Sequence, residues 1–246
     1  MLHNTKGIVL RAVKYGETSV IVSIYTELFG IQSYLVNGVR KSSKRSSGSA
    51  AAFQPPALLD LVVYHNDLKQ LHRIREFKWN YLYDNIFFDV KKNAVSMYMV
   101  ELLQKMFKQP EENETLFHFI EDAFKHLDKG DDAVVGNFAL YFALHLPVFF
   151  GFRIEDNFRQ SDNNILDLQE GVFVSSIPNH PNFIDGSLAE LTSQMLKVMQ
   201  PSELEQVKLN QSVRRQLLHA YGDYYALHLP DFGKMRTLPI LQELLS

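Results

Sequence analysis

The sequence contains no cysteine among its 246 residues. A chain without cysteine forms no disulfide, has no thiolate nucleophile and offers no thiolate ligand for zinc. It also lacks the glycine loop that cradles phosphates, the nucleophile elbow of hydrolases and the paired histidines of zinc peptidases. We therefore expect no enzymatic activity and no metal or other cofactor. The amino-terminal residues do not read as a signal peptide, and we expect a cytoplasmic protein.

Acidic residues are missing from the stretch between Glu27 and Asp60. Four cations lie in the middle of this stretch: Arg40, Lys41, Lys44 and Arg45. The first 80 residues contain 11 lysines and arginines against 5 acidic residues, whereas the whole chain contains 25 against 28. Such asymmetry is typical of a chain in which one part meets a polyanion. A basic segment that only keeps the protein soluble explains the charge run equally well.

Alternating apolar and polar residues predict five short strands in the first 80 residues. The predicted bounds are 6–13, 19–26, 31–36, 57–64 and 71–77. A long connection follows the third strand and contains the four cations. This arrangement predicts a small closed barrel of the OB type, a fold whose open face and loops bind oligonucleotides.

The predicted barrel carries further cations on its surface. Because side chains alternate along a strand, Arg73 and Arg75 share one face of the fifth strand and Ile74 takes the other. By the same rule Arg11 points away from the apolar side of the first strand, and Lys14 follows in the turn. That apolar side consists of Ile8, Leu10 and Ala12. We expect a basic face beside the basic segment.

Aromatic residues of the barrel are candidates for stacking on bases, which holds single strands without reading their sequence. Phe53 and Tyr25 are more typical of a core, and the pattern does not decide between the two roles for Tyr34 and Tyr64. Tyr15 is a further aromatic candidate. The predicted nucleic-acid contacts are Arg11, Lys14, Tyr34, Arg40, Lys41, Lys44, Arg45, Tyr64, Arg73 and Arg75.

After Trp79 the apolar residues follow a helical period. The predicted helices are 94–107, 116–127, 133–147, 187–199, 212–229 and 238–245. The chain is therefore of the α+β class, with a barrel domain at 1–80 and a helical domain at 81–246. An irregular insert at about 153–186 holds a possible short strand at 172–174.

The stretch 133–152 is apolar over about the ~20 residues that a membrane span needs. It contains Asn137 and His145, Pro147 would break the last turn, and no basic cluster flanks it. We interpret it as a central buried helix that begins near Asp131 or Asp132 and ends at Pro147.

A metal-like spacing occurs in the second predicted helix, where His118, Asp122 and His126 repeat every four residues. At 1.5 Å of rise per residue the first and last are about 12 Å apart, too far to share one ion. A solvated helix face is the better interpretation.

Several short pieces of the first 77 residues occur in an order that resembles a known family. They are Ile8-Val9-Leu10, Tyr15-Gly16-Glu17, Tyr25–Gly30, Val36–Arg40 and Phe53-Gln54-Pro55. This succession resembles the amino-terminal domain of the RecO recombination and repair proteins, and the helical remainder resembles the rest of that family. The resemblance implies an OB-fold followed by a helical domain, acting as a recombination mediator that hydrolyses no nucleotide.

The resemblance also implies partners. Members of the family bind single- and double-stranded DNA, anneal complementary strands, and with RecR help load the recombinase RecA onto DNA coated by single-strand-binding protein. A cytoplasmic, nucleoid-associated protein is implied. Many members carry a four-cysteine zinc site in the insert, but residues 153–186 contain no cysteine. We expect hydrogen bonds and packing to replace that metal.

A surface for an acidic peptide, such as the tail of single-strand-binding protein, is predicted on the helix at 212–229. It consists of Arg214, Arg215 and Leu218, although an ordinary solvated helix face explains the two arginines equally well. Two alternative functions remain open. One is an OB-fold RNA-binding protein, because stacking and backbone contacts do not distinguish sugars unless a 2′-hydroxyl is read. The other is a scaffold whose barrel binds proteins.

Overall fold

The computed structural model describes residues 1–39 and 51–244. Five strands form a closed barrel in the order β1-β2-β3-β5-β4, which confirms the predicted OB-type architecture. Their bounds are β1 Leu2–Tyr15, β2 Ser19–Thr26, β3 Gly30–Val36, β4 Leu58–Tyr64 and β5 Leu71–Tyr81. Neighbouring strands are antiparallel except β3 and β5, which run parallel. β1 and β5 are both longer than predicted.

Every strand contributes apolar side chains to the barrel interior. Val9, Ile24, Tyr34 and Leu61 are buried there, and Phe77 of β5 packs against them. These β-branched and aromatic residues suit a pleated surface that is buried on one side. The short 3₁₀ turn Ala51–Phe53 adds the Phe53 ring, in agreement with its predicted core role.

A β-bulge in β1 explains why one strand serves both the core and the surface. The register with β2 shifts between Val9, which pairs with Ile24, and Arg11, which pairs with Ser23. Strict alternation would place Val9 on the same side as Arg11, but the extra residue Leu10 reverses the pattern. Val9 therefore fills the barrel while Arg11 is exposed.

A second bulge acts in the same way in β5. Ile74 pairs with Val63 and Glu76 with Val62, which leaves Arg75 as the extra residue. The bulge lets Ile74 and Phe77 both pack against the core, although an odd number of positions separates them.

The chain divides into two compact units, each built from two segments. The first contains residues 1–84 and 103–125, and the second contains residues 85–102 and 126–246. In the first unit the segment 103–125 covers the side of the barrel formed by Ile8, Leu10 and Tyr25. The Tyr25 ring stacks on Phe107 with centroids 4.2 Å apart, and Gln104 donates a hydrogen bond to the Leu10 carbonyl. The domain boundary near residue 80 stays a prediction.

The helical part of the chain contains all six predicted helices. Their bounds are α1 Val90–Met106, α2 Glu114–Lys129, α3 Asp132–His145, α4 Gly186–Leu196, α5 Gln211–His228 and α6 Thr237–Leu244. The helix at α3 is buried all round from Val134 to Leu144, as expected for a central helix. Asp131 caps it by accepting a hydrogen bond from the Val134 amide. Pro147 does not end the helical path, because a 3₁₀ turn, Leu146–Phe150, continues α3.

Together, α3 and this turn are long and apolar enough to cross a membrane. Most of that stretch is nevertheless buried inside the protein. Asn137 in its middle is fully satisfied, since it donates to the Leu204 and Val207 carbonyls and accepts from Arg214.

The insert is more regular than predicted. The strands β6 Ile165–Asp167, β7 Val172–Val174 and β8 Phe183–Ile184 form a sheet in the order β7-β6-β8. Only β7, a run of three apolar residues, was predicted; β6 and β8 are too short to show a measurable periodicity. Asn157 holds β7 from the side by bonding both the amide and the carbonyl of Phe173, and Asp167 accepts from the amides of the following turn.

Candidate nucleic-acid interface

Two rows of directly paired residues cross four strands on the outside of the barrel. They are Arg11, Ser23, Ser33 and Leu71 in one row, and Val13, Ile21, Leu35 and Arg73 in the other. Directly opposed residues point to the same side of a sheet. In the row between them Val22, Tyr34 and His72 are buried inside, and only Ala12 at its β1 end is exposed. We call the eight residues of the two outer rows the cationic face; at about 4.8 Å per strand, it spans about 14 Å from β1 to β5.

Tyr64 extends the second row onto β4. It lies directly opposite Arg73 and, on its other side, directly opposite Leu2 of β1. The Tyr64 side chain is 52% exposed. The barrel thus brings three of the predicted contacts, Arg11, Arg73 and Tyr64, to one continuous surface.

The charges of the cationic face are not neutralised by the protein itself. Arg11 and Arg73 are exposed, and neither forms an ion pair within residues 1–39 and 51–244. The turns that border the face carry two acids, Glu17 and Asp67, and Asp67 already contacts His65 at 2.9 Å. Between the two arginines lie serine hydroxyls and aliphatic side chains. An anionic backbone with flat, partly apolar appendages matches this surface.

Two other predicted cations lie beside this surface. Lys14 is exposed, but it pairs with Val20, so that alternation directs it to the opposite side of β1 from Val13. Arg75 is the bulge residue of β5 and forms an exposed ion pair with Glu76 at 3.2 Å. Its charge is therefore partly matched within the protein.

The prediction that Tyr34 contacts nucleic acid is wrong. Its side chain is 0% exposed, because it shares the inner row with Val22 and cannot stack on a base in solvent. Burial also raises the pKa of the Tyr34 hydroxyl. The four cations of the basic segment, Arg40, Lys41, Lys44 and Arg45, lie outside the described residues.

Sequence reasoning missed the apolar residues around Tyr64. Leu2 and Leu71 flank it on the neighbouring strands, and Leu68 and Lys69 stand in the β4–β5 turn, all of them exposed. The alternation that exposes Tyr64 and Arg73 would have identified Leu71 as their neighbour on the same side.

A stack of rings underlies the β4–β5 turn. Phe29 lies face to face with His65 at 3.9 Å between centroids, and His65 stacks on His72 at 4.6 Å. Burial lowers the pKa of His72, and the neighbouring charges of His65 and Lys69 act in the same direction. His72 is therefore neutral at pH 7, which allows two imidazoles to stack.

The predicted partner surface in the second unit is only partly available. Leu218 is buried, so its predicted contact with a peptide is wrong. Arg214 is half-buried, and its Nε donates to Asn137 at 3.0 Å while the guanidinium packs against Gly136. Burial lowers the pKa of Arg214. Arg215 alone of the three is exposed, because it points away from the core on the next position of α5.

The residues of this chain do not fit the four-cysteine zinc site that the family resemblance implies for many members. The thiolate donors are absent, and the described residues contain no group of three or more histidine, aspartate or glutamate side chains arranged to hold a metal. The insert is instead tied to α5 by packing. The ring of His228 stacks on Phe152 at 5.4 Å, its Nε2 lies 3.1 Å from the Leu168 carbonyl, and Tyr224 packs against Gly171.

Comparison with known proteins agrees with this architecture. Residues 1–83 match the family described as Recombination protein O N terminal, and residues 88–237 match Recombination protein O C terminal. The chain is 32% identical to the DNA repair protein RecO of Christiangramia forsetii over 99% of both chains. It is 31% identical to the DNA repair protein RecO of Phocaeicola vulgatus over 100% of both chains. The chain therefore belongs to the RecO family.

Proposed function

We propose that this chain is a DNA repair and homologous recombination mediator that binds single-stranded DNA along the cationic face. The observation that carries the proposal is the pair Arg11 and Arg73, two exposed cations without an ion-pair partner in the described part of the chain, on either side of an uncharged strip. Charges that the fold leaves unmatched are available to an external anion. The relatives named DNA repair protein support DNA as that anion.

We propose two kinds of contact with the DNA, namely ion pairs with its phosphates and stacking on its bases. Arg11 and Arg73 neutralise phosphates, and the four cations that follow β3 in sequence add further neutralisation. Tyr64 stacks on bases and the neighbouring aliphatic side chains pack against them, and these contacts do not depend on which base is present. Lys14 and Arg75 lie at the border of this surface and add long-range attraction.

Annealing follows from the same contacts without a catalytic group. Two DNA strands repel each other, and a protein whose cations contact both backbones screens the repulsion and raises the local concentration of the strands. We propose that single- and double-stranded DNA are both bound through phosphates in this way.

The proposed partners are RecR and single-strand-binding protein, with loading of a recombinase as the outcome. Their support is membership of the RecO family. On the helical unit, the exposed Arg215 remains a candidate contact for an acidic tail. Substitution of Arg215 by alanine, measured by binding of an acidic peptide, tests it separately from DNA binding.

Fluorescence anisotropy with a labelled single strand at 50 and 200 mM salt tests the central proposal. If Arg40, Lys41, Lys44 and Arg45 each neutralise one phosphate, these four residues together contribute about -3 to the slope of log affinity against log salt, from ~0.7 per contact. Alanine at all four positions removes most of that slope. An unchanged slope in that variant refutes the role of the basic segment.

The same assay separates the alternative functions. Competition between DNA and RNA oligonucleotides of equal sequence identifies an RNA-binding protein if RNA wins, because a preference for ribose requires contacts to the 2′-hydroxyl. Absence of binding to either at low salt contradicts the proposal and favours a protein scaffold.

A further inference from the structure

The β4–β5 turn presents one leucine to solvent in full. Leu68 is 94% exposed, the highest value for a large apolar side chain in the part of the chain that the structure describes. A single exposed leucine is common on protein surfaces. Leu68 differs because it is not isolated and its turn is held firmly.

Hydrogen bonds fix the turn so that Leu68 stands away from the barrel. The Asn66 side chain accepts from the Leu68 amide at 2.9 Å, and the Asn66 carbonyl accepts from the Lys69 amide at 2.9 Å. The base of the turn is paired with the chain terminus, since His65 donates to the Met1 carbonyl and accepts from its amino group. A leucine held in this position loses little conformational freedom when a ligand covers it.

The surroundings of Leu68 are apolar and cationic at once. Tyr64 and Leu71 stand at the strand ends on either side of the turn and are 52% and 42% exposed. Lys69 follows Leu68 directly, and Arg73 lies opposite Tyr64. The apolar patch is thus continuous with the cationic face. This combination matches a ligand with flat apolar groups on an anionic backbone rather than an uncharged apolar partner.

We propose that Leu68 is a wedge that packs against or between the bases of a single strand held on the cationic face, and that it unstacks them. Apolar side chains inserted at base steps are an established means of unstacking nucleic acids. The inference rests on the proposed DNA binding and deepens it, because it assigns a role to a residue that phosphate binding does not need. It also predicts a preference for single strands, since intact base pairs resist the insertion.

The test uses the full chain and an oligonucleotide that carries 2-aminopurine between adenines, whose fluorescence rises when the base is unstacked. The wild-type protein at saturation raises the fluorescence. Leu68→Ala binds about fivefold more weakly, because it loses part of the burial of a leucine side chain, and it gives little fluorescence rise at saturation. Leu68→Met retains most of both effects.

Leu82→Ala is the matched control, because Leu82 is also exposed but follows the far end of β5. It leaves affinity and fluorescence unchanged, and thermal unfolding confirms that all variants fold. If Leu68→Ala keeps the wild-type affinity and fluorescence rise, or if the wild type binds without any rise, the wedge is refuted while DNA binding stands. If the wild type does not bind the oligonucleotide at 50 mM salt, the proposed function itself fails.

Discussion

Two outer faces of the same barrel differ in how their charges are matched. The cationic face leaves Arg11 and Arg73 without an ion pair in the described residues. A second face, built from β1, β4 and β5, contains the paired rows Lys6, Asp60 and Lys78, and Asn4, Val62 and Glu76. There Lys78 lies 3.3 Å from Asp60, and Lys6 lies 3.4 Å from Glu121. We call this second face the paired face.

Neither the number of cations nor a concave shape is by itself enough to identify the proposed binding surface. A cavity of about 550 Å³ lies on the paired face. Its lysines are already matched by carboxylates, so an incoming phosphate would have to displace those contacts. The arginines of the cationic face have no such carboxylate partner among the described residues, so their charges are available. Matching of charges is therefore the property that distinguishes the two faces.

Within the two faces, the largest effect is expected from removal of the two unmatched cations. Arg11→Ala combined with Arg73→Ala weakens single-strand binding about 60-fold at 50 mM salt and reduces the salt slope by about 1.4, from ~0.7 per phosphate contact. Unfolding stability changes by less than about 0.5 kcal/mol, because neither side chain is packed. Anisotropy and urea unfolding measure the two quantities.

Lys78→Ala is the control for this prediction, since it removes one cation from the paired face. It changes the salt slope little. An equal loss in the control and in the double variant contradicts the distinction between the two faces.

Substitutions that break ion pairs at the paired face are expected to lower the free energy of unfolding rather than the affinity for DNA. Glu121 is buried and contacts Lys6, Lys125 and His118. Burial by itself would raise the pKa of Glu121, but the hydrogen bond and charge of Lys125, together with Lys6 and His118, lower it. Glu121→Ala costs about 2 kcal/mol of unfolding free energy, less than for a fully buried pair because the lysines reach solvent. Urea unfolding measures the loss.

An exposed carboxylate provides the comparison for Glu121. Glu76→Ala removes only the surface ion pair with Arg75 and costs less than about 0.5 kcal/mol. Equal costs for the two substitutions would show that the Glu121 network does not support the barrel.

A smaller effect on the affinity for single strands is expected from removal of the Tyr64 ring, which borders the cationic face. Tyr64→Ala weakens binding of a single strand by about 1 kcal/mol, the lower end of the range for stacking of one base. Tyr64→Phe keeps the affinity, because stacking needs only the ring. A loss of affinity in the phenylalanine variant would assign the contribution to the hydroxyl instead.

The smallest expected effect is the contribution of His72 to the pH dependence of stability. The pKa of His72 in the folded barrel is lowered below 6.5. The unfolded chain therefore takes up this proton first as pH falls, and stability that is fully present above pH 6.5 is lost as pH falls from there through the lowered pKa. His72→Phe preserves a ring in the stack and removes this proton. Urea midpoints at pH 7.5 and 5.5 should differ less in the variant than in the wild type.

Local patterns sufficed to predict the five barrel strands, the helices and the buried α3, because each pattern extends over many residues. The strand registers were not predictable, and they determine which side chains reach the cationic face. One extra residue at Leu10 exposes Arg11, and one at Arg75 lets both Ile74 and Phe77 face the core. Tyr34 was misassigned because a tyrosine on an alternating strand suits either side. Lys6 and Glu121, which form an ion pair, are 115 positions apart in the sequence. No local sequence pattern could have predicted that contact.

Photo-cross-linking from defined positions distinguishes directly between DNA on the cationic face and DNA on the paired face. A benzophenone side chain is introduced at Ser33, in the middle of the cationic face, or at Val62, in the middle of the paired face, and each protein is irradiated with a saturating single strand. If the strand lies on the cationic face, cross-linking is strong from position 33 and weak from position 62. Cross-linking from position 62 with none from position 33 would contradict this location of the strand.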